Sequence, residues 1–459
     1  MILDTLYTIL TPAQILSGDQ LKTRYSHIWK MHDGLKGIAL VMPKTTQEVS
    51  QILAACNAAN VPIVIHGGLT NLVGGTETTG EEVVLSLEKM TQIITVDTSS
   101  RTMTVEAGVI LQSIQEAATE LDLLFPLNFG AKGTAQIGGI VSTNAGGLRV
   151  LRYGMTRQLI LGLEAVLADG TIISSLKTII KDNSGYDLKQ LFIGSEGTLG
   201  IVTKVVLKLV EPPTSRCSAM VAINDYQNVV KLLKHLEQTL GGRLTGYELM
   251  WDNYYNRVTS PPALAKPPLD HGCKYYVLAE CMGQNVTTDQ QHLEEAIQSA
   301  FTDGMIEDAA FAMNQSDLEW FWSIREDVNA AVSQFDYDQH FDISLPIPLI
   351  GDIAEDMLRQ LHELPYFQGV VTLGHVADGN IHFMVGKTND SPQATHEINQ
   401  IIYGPLKANG GSISAEHGIG LHKKAYLHHC RSESELALMK TLKQAMDPKG
   451  ILNPGRILQ

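Results

Sequence analysis

The chain has 459 residues, 44% hydrophobic and 18% charged, which excludes disorder and leaves room for more than one buried core. Its 34 Lys and Arg against 49 Asp and Glu give a formal charge of −15, so phosphate backbones would repel it and no nucleic-acid partner is expected. No apolar run reaches the roughly 18 residues of a transmembrane segment, no basic residue precedes Lys22, and five scattered cysteines lack any Cys-x-x-Cys pair, which together predict a cytoplasmic protein in a reducing compartment.

In chain order, 38–41 reads as a short apolar strand closed by Pro43. Thr45 and Glu48 predict a capping box ahead of Val49, Ile52, Leu53 and Cys56 at helical spacing. A strand over 62–66 enters the loop Gly67-Gly68-Leu69-Thr70-Asn71-Leu72-Val73-Gly74-Gly75-Thr76, an arrangement that presents backbone N–H groups to an anion. Strands are expected at 82–87 and 102–107, a second glycine-rich stretch at 130–154, and a hairpin about Asp169-Gly170. A third cluster, Gly194-Ser195-Glu196-Gly197-Thr198-Leu199-Gly200, precedes a strand over 201–210, and Pro212-Pro213 marks a domain boundary.

Beyond that boundary, strand candidates at 218–223, 244–249, 275–280 and 309–313 alternate with amphipathic helices at 227–240 and 288–301. The fold class is therefore α+β, its second half an antiparallel sheet with helices packed on one side. The segment 259–271, with Pro261, Pro262, Pro267 and Pro268, reads as an exposed loop, and 434–446 as a helix.

Three glycine clusters in one domain could each bring N–H donors to a pyrophosphate without a basic side chain. The Gly-x-Gly-x-x-Gly fingerprint of the doubly wound nucleotide fold is absent, so the expected ligand is a dinucleotide in another fold. Gly374-His375-Val376-Ala377-Asp378-Gly379-Asn380-Ile381-His382 predicts a strand–turn–strand hairpin that sets His375 beside His382. With Glu416 they offer two imidazoles and a carboxylate, a ligand set that leaves a metal position open. On spacing alone, hydrogen-bonded core histidines are the commoner reading.

Val41-Met42-Pro43 with Glu48-Val49, His66-Gly67-Gly68, Thr143-Asn144-Ala145-Gly146-Gly147, Arg152-Tyr153-Gly154, Lys181-Asp182-Asn183-Ser184-Gly185-Tyr186-Asp187-Leu188 and the third cluster resemble the vanillyl-alcohol-oxidase-type (PCMH-type) flavoproteins. Within them the match is closest to the FAD-dependent D-2-hydroxyacid dehydrogenases, the D-lactate and D-2-hydroxyglutarate group. The resemblance implies a PCMH-type FAD-binding domain over 1–212, completed by about 420–459, and a cap domain over 213–419 of antiparallel sheet with flanking helices. It gives the pyrophosphate to Gly67, Gly68, Thr70, Asn71, Gly74 and Gly75. The flavin falls to Pro126, Thr134, Gly139 and the run Thr143, Asn144, Ala145, Gly146 and Gly147, the adenosine side to Gly197, Gly200, Ile201 and Val202, and the isoalloxazine contact to Asn453, with Gly133, Gly138 and Gly154 also given to the cofactor. Leu69 stands where covalent members carry the flavin-linked histidine, so the FAD is expected to be non-covalent.

By the same resemblance His375, His382 and Glu416 bind a divalent metal, zinc or manganese, and His417 is the catalytic base. A Lewis acid on the hydroxyl eases proton loss to a histidine poised near neutrality, while flavin N5 accepts the hydride. Arg325 holds the substrate carboxylate. Where D-2-hydroxyglutarate dehydrogenases have a threonine, a lysine and an asparagine, this chain has Asn329, His340 and Met384, which points away from a second carboxylate. The implied partners are a small 2-hydroxy acid and an electron acceptor such as electron-transfer flavoprotein or a quinone, with a homodimer left open and peripheral membrane contact only through the acceptor. The alternative is a flavoprotein subunit of a glycolate-oxidase-like complex.

Overall fold

The computed structural model describes residues 2–263 and 265–458; Met1 and Gln459, the ends of the expected first domain, and Leu264 in the proline-rich loop lie outside them. The chain divides into two compact units, the first running to Gly147 and taking in Tyr153–Pro212 and the chain from Glu416, the second holding Leu148–Arg152 and Pro213–Ala415. The return to the first unit thus comes at Glu416 rather than at 420, and the short segment after Gly147 belongs to the second.

The first unit carries two sheets. Ile15–Ser17, Ala39–Val41, Val83–Ser86 and Ile63–His66 form the smaller, in that order, with its last three strands parallel. Val83–Ser86 is central and wholly buried, which is why it reads as a continuous apolar run. The helix Thr46–Ala59 begins where its capping signal predicts, but only half the box forms. Thr45 accepts from Glu48 N at 3.1 Å, while the Glu48 carboxylate accepts from Lys44 N and Gln14 instead. The larger sheet is antiparallel, ordered Ile93–Asp97, Thr102–Glu106, Ile201–Lys208, Ile160–Val166, Ile172–Ser175. The C-terminal segment returns to the small sheet, where Ile63 N donates to Ile451 O at 2.7 Å and Asn453 N to Ile63 O at 2.9 Å.

The second unit is built on a seven-stranded antiparallel sheet ordered Asp308–Phe311, Ser215–Ile223, Tyr275–Gly283, Leu244–Trp251, Phe367–Gly374, Asn380–Lys387, Tyr337–Ser344. On one face Met220, Leu278, Met250, Leu373 and Met384 pack against Tyr254, Tyr255, Phe321, Trp322 and Ile324 of the helices Asp252–Val258 and Gln315–Glu326. On the other, Tyr247 donates its hydroxyl to Val229 O at 2.6 Å, within the helix Tyr226–Thr239. Helices therefore cover both faces, not one as expected. The cause is visible in Leu244–Trp251, buried at every position and so covered on both sides.

Candidate active site

The three glycine clusters of the first unit converge on a cavity of about 390 Å³. Its wall includes Gly67, Gly68, Thr70, Asn71, Gly75, Gly138, Gly139, Thr143, Gly146, Gly197, Ile201, Val202 and Asn453. The first two clusters meet backbone to backbone: a Cβ on Gly68 would lie 2.2 Å from Thr134 O, so only glycine fits. Asn71 ties its own loop, its Oδ1 accepting from Gly75 N at 2.8 Å and its Nδ2 donating to Thr76 Oγ1 at 2.8 Å.

Other residues assigned to the cofactor stand outside the wall. Gly74 backs onto His422, Thr134 supplies the carbonyl against Gly68, Gly147 passes close to Asn128 O, and Gly200 lies under the Phe192 ring. Asn144 caps the helix Ile137–Thr143 and accepts from Arg157 N at 2.9 Å. Pro126, Gly133 and Gly154 are likewise not part of the lining. Sequence reasoning missed Gln136, which lines the cavity and whose buried Oε1 has no hydrogen-bond partner among the described residues. A glycine cradle with an orphaned buried acceptor fits a polar dinucleotide.

Asn453 holds the cavity together: its Oδ1 accepts from Ile65 N at 3.0 Å and its Nδ2 donates to Glu196 O at 2.6 Å. Glu196, unnoticed in the sequence although it sits in the third cluster, accepts from Ile419 N at 2.7 Å and Gly420 N at 2.8 Å. Burial pushes its carboxyl up, against those two donors. The loop bearing Glu416 and His417 is thereby fixed, and both residues line the cavity with ligand atoms within 4.8 Å of each other. Glu416 Oε1 would lie 3.2 Å from a Cβ on Gly146. His66, at the mouth of the first loop, holds Thr76 O at 2.9 Å, and burial pushes its imidazole down to about 4.

In the second unit, Phe367–Gly374 and Asn380–Lys387 form the expected hairpin, turned by Gly379 at φ +85°, where a Cβ would meet Leu345 O at 2.6 Å. The His375 and His382 rings lie 5.5 Å apart and nearly perpendicular. Opposite His382 in register is Asp342, fully buried, accepting from Asn380 Nδ2 at 2.7 Å, with a ligand atom within 4.8 Å of that histidine's. Neither Asp342 nor the next acid was found in the sequence.

That acid is Glu248, 1% exposed on Leu244–Trp251. His375 Nδ1 lies 2.7 Å from its Oε2, and Arg325 reaches the same oxygen with Nε at 2.9 Å and Nη2 at 2.8 Å. Burial would raise the carboxyl, but His375 and Arg325 hold it below the usual carboxylate range. Glu248 as acceptor puts the proton on Nδ1, which leaves Nε2 as the lone-pair nitrogen, the donor chemistry a divalent metal requires. His340 is exposed and paired with Asp338 at 2.5 Å, Asn329 is exposed, and Met384 is buried in the apolar cluster.

Residues 38–175 match the FAD binding domain family, and residues 212–457 match the family of FAD linked oxidases, C-terminal domain. A D-2-hydroxyglutarate dehydrogenase, mitochondrial, of Danio rerio is 39% identical over 91% of this chain and 78% of its own length. Its counterpart in Arabidopsis thaliana is 38% identical over 91% and 74%. The D-2-hydroxyglutarate–pyruvate transhydrogenase of Saccharomyces cerevisiae is 35% identical over 91% and 86%. In fold, p-cresol methylhydroxylase superposes with a TM-score of 0.75 at 17% identity, over 99% of this chain and 96% of that one. Alkyldihydroxyacetonephosphate synthase gives 0.73 at 16%, over 99% and 85%. The mitochondrial relatives overturn the cytoplasmic expectation, since scattered thiols and acidic composition speak to redox environment and do not separate one reducing compartment from another. Among the described residues no helix is long and apolar enough to cross a membrane.

Proposed function

Because the chain belongs to the FAD-linked oxidases, in their D-2-hydroxyacid dehydrogenase group, we propose that it oxidises a D-2-hydroxy acid to the 2-keto acid, favouring monocarboxylates such as D-lactate over D-2-hydroxyglutarate. The observation that carries the substrate class is Arg325, a buried guanidinium that gives Nε and Nη2 to Glu248 while Nη1 makes no hydrogen bond among the described residues. Such a group binds a substrate carboxylate through its remaining edge. The monocarboxylate preference is supported by Met384, buried among apolar neighbours, and by His340, whose Nε2 is already engaged by the Asp338 carboxylate.

Bound FAD would supply the hydride acceptor, and a divalent cation, zinc or manganese, held by His375, His382 and Glu416 would polarise the substrate hydroxyl. His417 would take the hydroxyl proton on a ring nitrogen, and Arg325 would orient C2 by its grip on the neighbouring carboxylate. Leu69 at the covalent position supports a dissociable FAD.

The test is anaerobic bleaching of the flavin by the D and L forms of lactate and 2-hydroxyglutarate. D-lactate is expected to bleach fastest and the L forms not at all; bleaching by none of the four refutes the reading. Acid precipitation should release the flavin into the supernatant, and yellow precipitate would refute the non-covalent assignment.

A further inference from the structure

Glu248 is a carboxylate in the middle of a strand whose eight residues are all buried. Burying a charge is costly unless partners converge on it, and here they come from two separate elements. Arg325 arrives from the last turn of the helix Gln315–Glu326, and His375 from the turn that ends Phe367–Gly374. One helical turn before Arg325, Trp322 donates Nε1 at 3.0 Å to a second buried acid, Glu280 on the adjoining strand, which also pairs with Arg216. Two buried glutamates thus fasten the same helix to the same sheet, but only Glu248 holds groups with a chemical role.

We propose that Glu248 is a positioning residue that fixes two functional groups at once, the guanidinium of Arg325 for the substrate carboxylate and the imidazole of His375 for the metal. The inference rests on the hydroxyacid-oxidising reading above. With Nε and Nη2 of Arg325 tied to one carboxylate oxygen, the plane of the guanidinium is set and Nη1 is presented in one direction. With Nδ1 of His375 donating to the same carboxylate, Nε2 is the nitrogen left for a cation. Substrate grip and metal affinity are therefore governed by a residue that is placed to touch neither.

The test compares Glu248→Gln, Glu248→Asp and the control Glu280→Gln with the wild-type holoenzyme. Zinc affinity is measured by competition against a fluorescent chelator, alongside flavin content, Tm, and kcat and KM for D-lactate. Glu248→Gln should keep its flavin, weaken zinc about 10–100-fold and raise KM about tenfold or more, with the smaller change in kcat. Glu248→Asp, which keeps the charge, should recover part of both losses. Glu280→Gln should lower Tm without moving zinc affinity or KM. Wild-type zinc affinity and KM in Glu248→Gln would overturn the inference, as would equal losses of zinc affinity and KM in both glutamine variants. Should Glu248→Gln fail to fold, Glu248→Asp decides: a lowered Tm with unchanged zinc affinity and KM makes the residue merely structural and overturns the inference. A wild-type protein that turns over hydroxyacid yet binds no zinc or manganese overturns the inference and leaves the oxidation standing, whereas one that binds metal and bleaches with no hydroxyacid defeats the functional reading itself.

Discussion

In the first unit the loops around the cavity meet through main chain: Gly68 fits against Thr134 O, and Glu196 and Asn453 tie glycine loop, C-terminal segment and the Glu416-His417 loop through backbone groups. In the second unit the candidate groups are side chains held around buried acids: Glu248 against Arg325 and His375, and Asp342 across from His382 in register. Where close approach of backbone demands glycine, gain of a side chain is the damaging change. A site made of paired charges behaves in the opposite way, because removing one member strands the other in a medium that cannot solvate it.

The largest effect expected from that contrast is at Arg325. Arg325→Ala leaves Glu248 buried with half its compensation, a loss of about 3–5 kcal/mol. Three of the four tryptophans, Trp251, Trp320 and Trp322, lie in the second unit, so tryptophan fluorescence reports mainly on it while flavin fluorescence reports on the first. The tryptophan transition should fall further than the temperature of flavin release. Equal displacement of both would break the comparison. Replacing the pair together, Arg325→Leu with Glu248→Leu, should restore much of the stability and none of the turnover, since burying apolar groups in place of an ion pair is commonly neutral or better.

The first unit holds an exception that sharpens the contrast, a buried titratable group in the strand that feeds the first glycine loop. His66 is neutral in the fold, pushed down to about 4, whereas an unfolded imidazole titrates near 6.5. Above about pH 6.5 neither state is protonated and its contribution to stability is intact. As pH falls from there toward 4 only the unfolded chain takes the proton, and stability is lost, by about 2 kcal/mol at pH 5. Flavin release should therefore occur at lower temperature at pH 5 than at pH 7.5, with a smaller pH difference in His66→Gln. An unchanged difference in that variant would show that carboxylates alone carry the acid sensitivity.

The same contrast explains what could be read from the chain. Backbone sites leave a contiguous trace, because every position of close approach must be glycine, and the loops at 67–75, 130–154 and 194–200 stood out for that reason. The His375–His382 hairpin was legible too, since Asp378-Gly379-Asn380 is turn chemistry. Glu248 and Asp342 were not, as their partners lie up to 127 residues away in sequence. Yet an acid inside an apolar strand run, as in Leu244-Thr245-Gly246-Tyr247-Glu248-Leu249-Met250-Trp251, is itself a signal that a buried cation lies nearby. The second helical layer was missed for a related reason: a strand buried on both faces loses the alternation that tells one face from the other.

The smallest expected effect separates two neighbouring glycines of the helix Ile137–Thr143. A Cβ on Gly138 would lie 2.7 Å from Ala107 Cβ and 3.0 Å from Ala107 O, so Gly138→Ala overpacks the protein itself and should cost about 1–3 kcal/mol with or without cofactor. Gly139 meets nothing within 4 Å and faces the cavity, and alanine is the better helix former by up to about 1 kcal/mol. Gly139→Ala should thus leave the Tm of flavin-stripped protein equal or slightly higher while weakening FAD binding in titration. The sign of the first change is the informative part, because a glycine kept for packing cannot give it. If Gly139→Ala binds FAD as tightly as wild type, the second cluster shapes the fold rather than the cofactor, and the backbone cradle is confined to the first and third.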